Sequence, residues 1–160
     1  MKTFFYVILL FFLFSCSGVP EGFKKYDSEH FSISYPEAWE SSAGKGETLA
    51  LFSQKSEDIQ KINPAITVSG GKNEDDEDIL ERSTMILKES IPDYQEIFLD
   101  KGNPSRIVFK GKLNDFSCIW DVSIYKGKTD YFVTGLCEEK DYSKMKSIFE
   151  VSVKSFKALK

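Results

Sequence analysis

The chain has 160 residues, of which 41% are apolar and 29% charged, with a formal net charge of −4 at pH 7. That balance fits a soluble globular domain long enough to bury a core. Mild acidity speaks against a nucleic-acid partner, which wants a basic face. Beyond the first residues no apolar stretch approaches the roughly 20 residues that cross a bilayer.

At the amino end one cation, Lys2, precedes an unbroken apolar run at 4–14, "FFYVILLFFLF", and small polar residues follow at once: Ser15, Cys16, Ser17, Gly18. A short cationic start, a brief apolar core and a small-residue exit describe a secretory signal peptide. Leu13-Phe14-Ser15-Cys16 resembles the bacterial lipobox. The resemblance implies that residues 1–15 are cut off as a lipoprotein leader and that Cys16 receives a diacylglyceryl thioether and further acylation. Each buried methylene contributes about 0.8 kcal/mol and one chain holds weakly, so two or three chains make a stable anchor. The alternative is an ordinary secretory signal with a chance cysteine near its cleavage site. Loss of the leader takes Lys2 with it and leaves the mature chain one unit more acidic. Residues 16–27 hold Gly18, Pro20 and Gly22 with few apolar groups and read as a flexible tether, which leaves 28–160 as the globular domain.

Period-two alternation then predicts strands. Phe31, Ile33 and Tyr35 share one face, as do Leu49 and Leu51 within 48–53, and Ile66 and Val68 within 64–69. Residues 73–90 change period: Ile79, Leu80, Ser83, Ile86, Leu87 and Ile91 recur every three or four positions, an amphipathic helix that Pro92 ends. The acidic run Glu74–Asp78 sits at its amino end, where the helix dipole favours negative charge. Strands follow over about 94–101, 104–113, 116–126 and 129–137. The links between them, Gly102-Asn103-Pro104, Asn114-Asp115 and Gly127-Lys128, are too short for parallel crossovers, so these strands are antiparallel neighbours. A last helix covers about 142–153, with Asp141 as its N-cap and Tyr142, Met145, Phe149, Val153 and Phe156 as its apolar stripe. The order predicts an α+β domain, an antiparallel sheet with helices packed on it.

Two stretches resemble the PsbP-like family: "HFSISYPEAWE" at 30–40, a strand with a tryptophan three residues after its closing proline, and "IFEVSVKSFKAL" at 148–159, a helix running into Ser155-Phe156-Lys157. The long hairpin between them fits in place and length. The resemblance implies an α/β/α sandwich around an antiparallel sheet. Members include photosystem II extrinsic subunits and exported bacterial lipoproteins, and no shared catalytic site is carried over. Pro36 cannot continue a central ladder, so the chain turns there and Trp39 closes one end of the core.

Among residues able to do chemistry, Cys118 and Cys137 stand out. A hairpin turning at Gly127-Lys128 pairs Lys126 with Thr129 and therefore sets Cys118 opposite Cys137, Trp120 opposite Gly135, Val122 opposite Val133 and Ile124 opposite Tyr131. Opposed Cβ atoms lie about 4.5–5.5 Å apart, wider than the roughly 3.8 Å a disulfide wants. In an exported chain a disulfide is expected here, contributing roughly 2–4 kcal/mol; the alternative is two reduced core thiols. No Cys-x-x-Cys spacing points to redox catalysis. The acidic run lacks the spacing of a calcium loop, and the lone His30 has no ligand spacing or nucleophile elbow around it. Ile119, Tyr125, Phe132 and Leu136 read as the outer face of the hairpin, covered by a helix or, if exposed, an apolar patch for a partner.

The expected protein is therefore a non-enzymatic lipoprotein, without cofactor or metal, held to an envelope membrane by Cys16. Its partner is another envelope protein, met as an accessory or assembly factor, with Trp39, Tyr125 and Phe132 as candidate contacts. The other readings are a chaperone-like adaptor for an exported client and an envelope hydrolase.

Overall fold

The computed structural model describes residues 18–55, 61–72 and 78–159, so the leader, Cys16 and the acidic residues 74–77 lie outside the described residues. In chain order the elements are β1 (Phe23–Asp27), β2 (Phe31–Pro36), β3 (Trp39–Ala43), β4 (Thr48–Gln54), β5 (Ala65–Lys72), α1 (Ile79–Ser90), β6 (Gln95–Asp100), β7 (Ser105–Leu113), β8 (Phe116–Tyr125), β9 (Thr129–Glu138), α2 (Tyr142–Ser155) and β10 (Lys157–Ala158). Seven strands form one sheet in the order β3-β4-β5-β9-β8-β7-β6, antiparallel at every pairing. β1, β2 and β10 form a second, three-stranded sheet.

The large sheet carries an apolar layer on each face. On one, Ile107, Phe109, Val122 and Ile124 pack with Leu80 of α1, joined by Ile79, Leu87 and Ile91. On the other, Ala50, Phe52, Ile66, Val68, Val133 and Cys137 pack with Phe149 of α2 and with Phe31, Ile33 and Tyr35 of β2. The molecule is thus α+β, with helices on both faces of an antiparallel sheet. Two glycines permit the close approach. A Cβ on Gly111 would lie 2.3 Å from Ile91 Cγ2, so the end of α1 rests on bare backbone of β7. A Cβ on Gly135 would lie 2.5 Å from the Phe149 ring, so α2 sits directly on β9.

The helix starts differ in chemistry. Asp78 caps α1, its carboxylate accepting from Leu80 N–H at 3.1 Å and from Lys126 Nζ at 3.1 Å. The Lys126 bond, more than any other contact, holds this carboxyl below its usual range. Asp141, the expected cap of α2, makes no such bond; it belongs to a 3-10 turn, Glu139–Asp141, that feeds the helix. Ile86, expected on the buried stripe of α1, is exposed.

Three departures concern strands. Residues 23–27, expected in the tether, form β1 and pair with β2 from Phe23 opposite Pro36 to Asp27 opposite Ser32. β2 is covered on both sides, its serines as well as its apolar residues, because it lies between β1 and β10 against α2 rather than within the large sheet. Trp39, 5% exposed, fills the core as its position after Pro36 suggested, but it also opens β3, a strand too polar to show alternation.

The fourth departure is a register. β8 and β9 pair with Tyr125 opposite Tyr131, Ile119 opposite Cys137 and Cys118 opposite Glu138. The turn is wider than two residues: the β8–β9 pairing stops at Tyr125–Tyr131, and the Gly127 N–H donates to Asp130 Oδ1 at 3.0 Å across the turn. A slip of one residue sends side chains to the opposite face. Cys118 and Cys137 therefore point to opposite sides of the sheet, both buried and both free. The expected disulfide does not form, and the expected pairs Trp120–Gly135, Val122–Val133 and Ile124–Tyr131 are replaced by Trp120–Leu136, Val122–Thr134 and Ile124–Phe132.

Gly135→Ala would force Phe149 off its seat on β9. Overpacking of this kind costs about 1–3 kcal/mol, read as a lower urea midpoint. Trimming the ring with Phe149→Leu in the same chain should recover part of that loss; no recovery would mean that the glycine is needed for its backbone alone.

Candidate functional site

None of the three expected contact residues offers an open face. Trp39 is buried among Tyr35 and Phe52. Tyr125 is half-buried, with its hydroxyl donating to the Val153 carbonyl at 2.5 Å and its ring 4.5 Å from that of Phe156. Phe132 packs into the layer beneath α1. Tyr125 and Phe132 lie on opposite faces of the sheet, so they cannot form one patch. All three are packing residues here. His30 is exposed at the entry to β2, where its carbonyl accepts from Leu159 N–H at 2.7 Å. Among the described residues no group of three His, Cys, Asp or Glu side chains is placed to hold a metal ion.

The two thiols are placed for packing. Burial, with the Asp141 carboxylate adding to it, pushes Cys137 up to about 12. Burial also raises Cys118, with Glu138 as a second cause. A thiol held protonated at neutral pH is a poor nucleophile.

Two features remain exposed and organised. The first is an ionic cluster where α2 crosses β7 and β8. Asp121, 1% exposed, accepts from Arg106 Nε at 2.8 Å, from Arg106 Nη2 at 2.7 Å and from the Tyr142 hydroxyl at 3.1 Å. The bidentate bond to Asp121 raises Arg106 above its already high ordinary pKa. Burial and the same carboxylate raise Tyr142. Arg106 Nη1 turns outward and stands 3.8 Å from Glu150 Oε1. Arg106, Asp121 and Glu150, with Phe149, Val153 and Lys154, line a groove of about 220 Å³. Two of the five N–H donors of Arg106 go to Asp121, which also accepts from Tyr142 of α2, so the cluster serves first to lock α2 to the sheet.

The second is the edge strand β6. All six residues are exposed. Ile97, Phe98 and Leu99 are 54%, 47% and 36% exposed, a consecutive run among the few large apolar side chains left open in the described residues. Among the described residues β6 pairs with β7 alone, across a bulge at Ile97. The two features adjoin: the Arg106 guanidinium carbon lies 5.9 Å from the centre of the Phe98 ring. Sequence reading placed a strand here without showing that it stands at the edge of the sheet. Its only signal was the run Ile97-Phe98-Leu99, which does not alternate.

The fold is that of PsbP-like proteins. The cyanobacterial PsbP (CyanoP) of Synechocystis sp. PCC 6803 superposes with a TM-score of 0.60 at 13% identity, covering 92% of this chain and 99% of its own. LpqN of Mycobacterium tuberculosis, described as involved in cell envelope biogenesis, gives 0.55 at 8% identity over 81% of this chain and 83% of its own. A Pseudomonas aeruginosa protein of unknown function, PA94, described as a putative regulator, gives 0.56 at 8% identity over 80% and 91%. No protein-family model and no curated protein matches the sequence. Identities this low carry the fold alone.

Asp121→Asn would leave the half-buried Arg106 without its counter-charge, and breaking a buried pair from one side costs about 3–5 kcal/mol. Chemical denaturation should show a loss of that order; a loss below about 1 kcal/mol would mean that Glu150 takes over the pairing. Thiol titration with an aromatic disulfide reagent should count two more reactive cysteines in denaturant than in the folded protein, and the same two without prior reduction.

Proposed function

We propose that this chain is a lipid-anchored, non-catalytic accessory or assembly factor of the cell envelope, which uses its PsbP-like domain to bind another protein. The observation that carries the reading is the exposed apolar edge of β6, where Ile97, Phe98 and Leu99 meet solvent while Trp39 and Ile119 are buried. Exposed apolar groups gathered at one place mark a surface meant to be covered. The lipobox-like Leu13-Phe14-Ser15-Cys16 supports delivery to a membrane. The likeness of fold to LpqN, a protein of envelope biogenesis, supports the same setting.

The test is cross-linking in native membranes followed by capture of the tagged chain, with Cys16→Ser as the unanchored control. One envelope protein recovered with the wild type, and reduced at least fivefold with Cys16→Ser, is the expected result. Equal recovery with both forms would remove the anchor from the mechanism. Specific recovery with neither would remove the binding role.

A further inference from the structure

The two edges of the large sheet are unlike. β3 is covered by its own character: after Trp39 it continues as exposed Glu40, Ser41 and Ser42. Natural sheets blunt their edges with charge, proline, bulges or short strands, because an open edge is a row of unpaired backbone donors and acceptors. β6 carries the bulge at Ile97 and charged ends, Glu96 and Asp100, but its centre presents three apolar side chains to solvent. We infer that β6 is a docking edge for an extended segment of a partner protein, apolar at its centre and basic at its flanks, which joins the large sheet as an eighth strand. This inference rests on the protein-binding reading above and goes further, to the site and the chemistry of the partner.

The register supplies the geometry. Phe98 lies opposite Val108 and Leu99 opposite Ile107, so these two side chains stand on opposite faces of the sheet. Phe98 faces the side of α2 and the Arg106 groove; Leu99 faces the side of α1. An added strand would meet an apolar side chain on each face, while its backbone bonds to the edge. This is strand addition, in which main-chain bonds give affinity and side-chain contacts give choice.

Charge selects the occupant. Glu96 and Asp100 bracket the apolar triad, and Glu150 stands at the groove beside Phe98. Lys101 follows just beyond the strand, and Arg106 is already paired with Asp121. The edge is therefore apolar with acidic ends, and its complement has Lys or Arg at its ends. The same pattern disfavours a second copy of this chain. Antiparallel self-pairing centred on Phe98 would gather the Glu96 and Asp100 carboxylates of both copies along one short seam, on its two faces, and add repulsion where a basic segment adds attraction.

The test uses the protein purified from membranes in detergent and labelled eight-residue probe peptides: KVTFVTVK, the same core flanked by glutamates, and the lysine form with proline at its centre. Binding is read by fluorescence anisotropy, and the docking place by hydrogen exchange. The lysine peptide should bind at least tenfold more tightly than either control and protect the amides of β6. Phe98→Glu should weaken it at least tenfold, and Glu96→Lys with Asp100→Lys should shift preference to the glutamate peptide. Equal binding of all three peptides, protection elsewhere than β6, or self-association in sedimentation that Phe98→Glu abolishes would overturn the inference. Cross-linking capture with Phe98→Glu separates the two readings. A partner held as strongly by this variant as by the wild type overturns the docking edge and leaves the binding role intact. Capture by neither form overturns both.

Discussion

The pairing of β8 with β9 decides what every layer of the molecule contacts. With Tyr125 opposite Tyr131, one face of the hairpin delivers Ile119, Asp121, Val133, Gly135 and Cys137 to α2, and the other delivers Trp120, Val122, Ile124 and Phe132 to α1. The β7–β8 pairing sets Asp121 beside Arg106, and the turn into β9 places the glycine that seats Phe149 on that same face. Asp130, accepting the Gly127 N–H, closes that turn. A tighter turn would have turned Gly135 away from α2 and set a bulkier neighbour in β9 beneath Phe149.

The second sheet depends on a short stretch at the other end of the chain. Ser155 Oγ accepts from the Ser34 N–H at 2.7 Å and donates to the Ser152 carbonyl at 2.8 Å, ending α2 against β2. Phe156 then stacks on Phe31 at 5.7 Å and meets Tyr131 at 5.4 Å. Lys157 and Ala158 pair with Ser32 and Phe31. Aromatic contacts of this kind are worth about 0.5–1.5 kcal/mol each beyond area burial. The Ser-Phe-Lys motif is therefore a clasp joining helix, small sheet and large sheet.

What could be read beforehand follows from how far each signal reaches along the chain. The four strands from 94 to 137 were legible to within a few residues because turn residues punctuate them and local alternation is strong. α1 and α2 were legible from their periodicity. β1 and β3 were not, since Phe23–Asp27 and Trp39–Ala43 carry too few apolar residues to alternate, although each pairs with the next strand along the chain. The hairpin register failed on a single residue, because Gly127-Lys128 looks like a complete turn and nothing local announces the Asp130 bond. The candidate surface was hidden for a different reason: exposure at an edge is a property of strand order, and strand order is not written in the run Ile97-Phe98-Leu99.

The early start of β1 bears on geometry outside the domain. Phe23 N–H bonds to the Pro20 carbonyl and Glu37 N–H to that of Gly22, so the chain is already fixed to the body by residues 20–22. With the anchor proposed at Cys16, only residues 16–19 are left as a leash. At about 3.5 Å per residue that leash reaches roughly 14 Å, comparable with a lipid headgroup layer. A domain so anchored would ride against the bilayer and could not search the space above it. With that anchor, a partner would have to come to the membrane surface, and the short leash would limit the angles from which β6 could be approached.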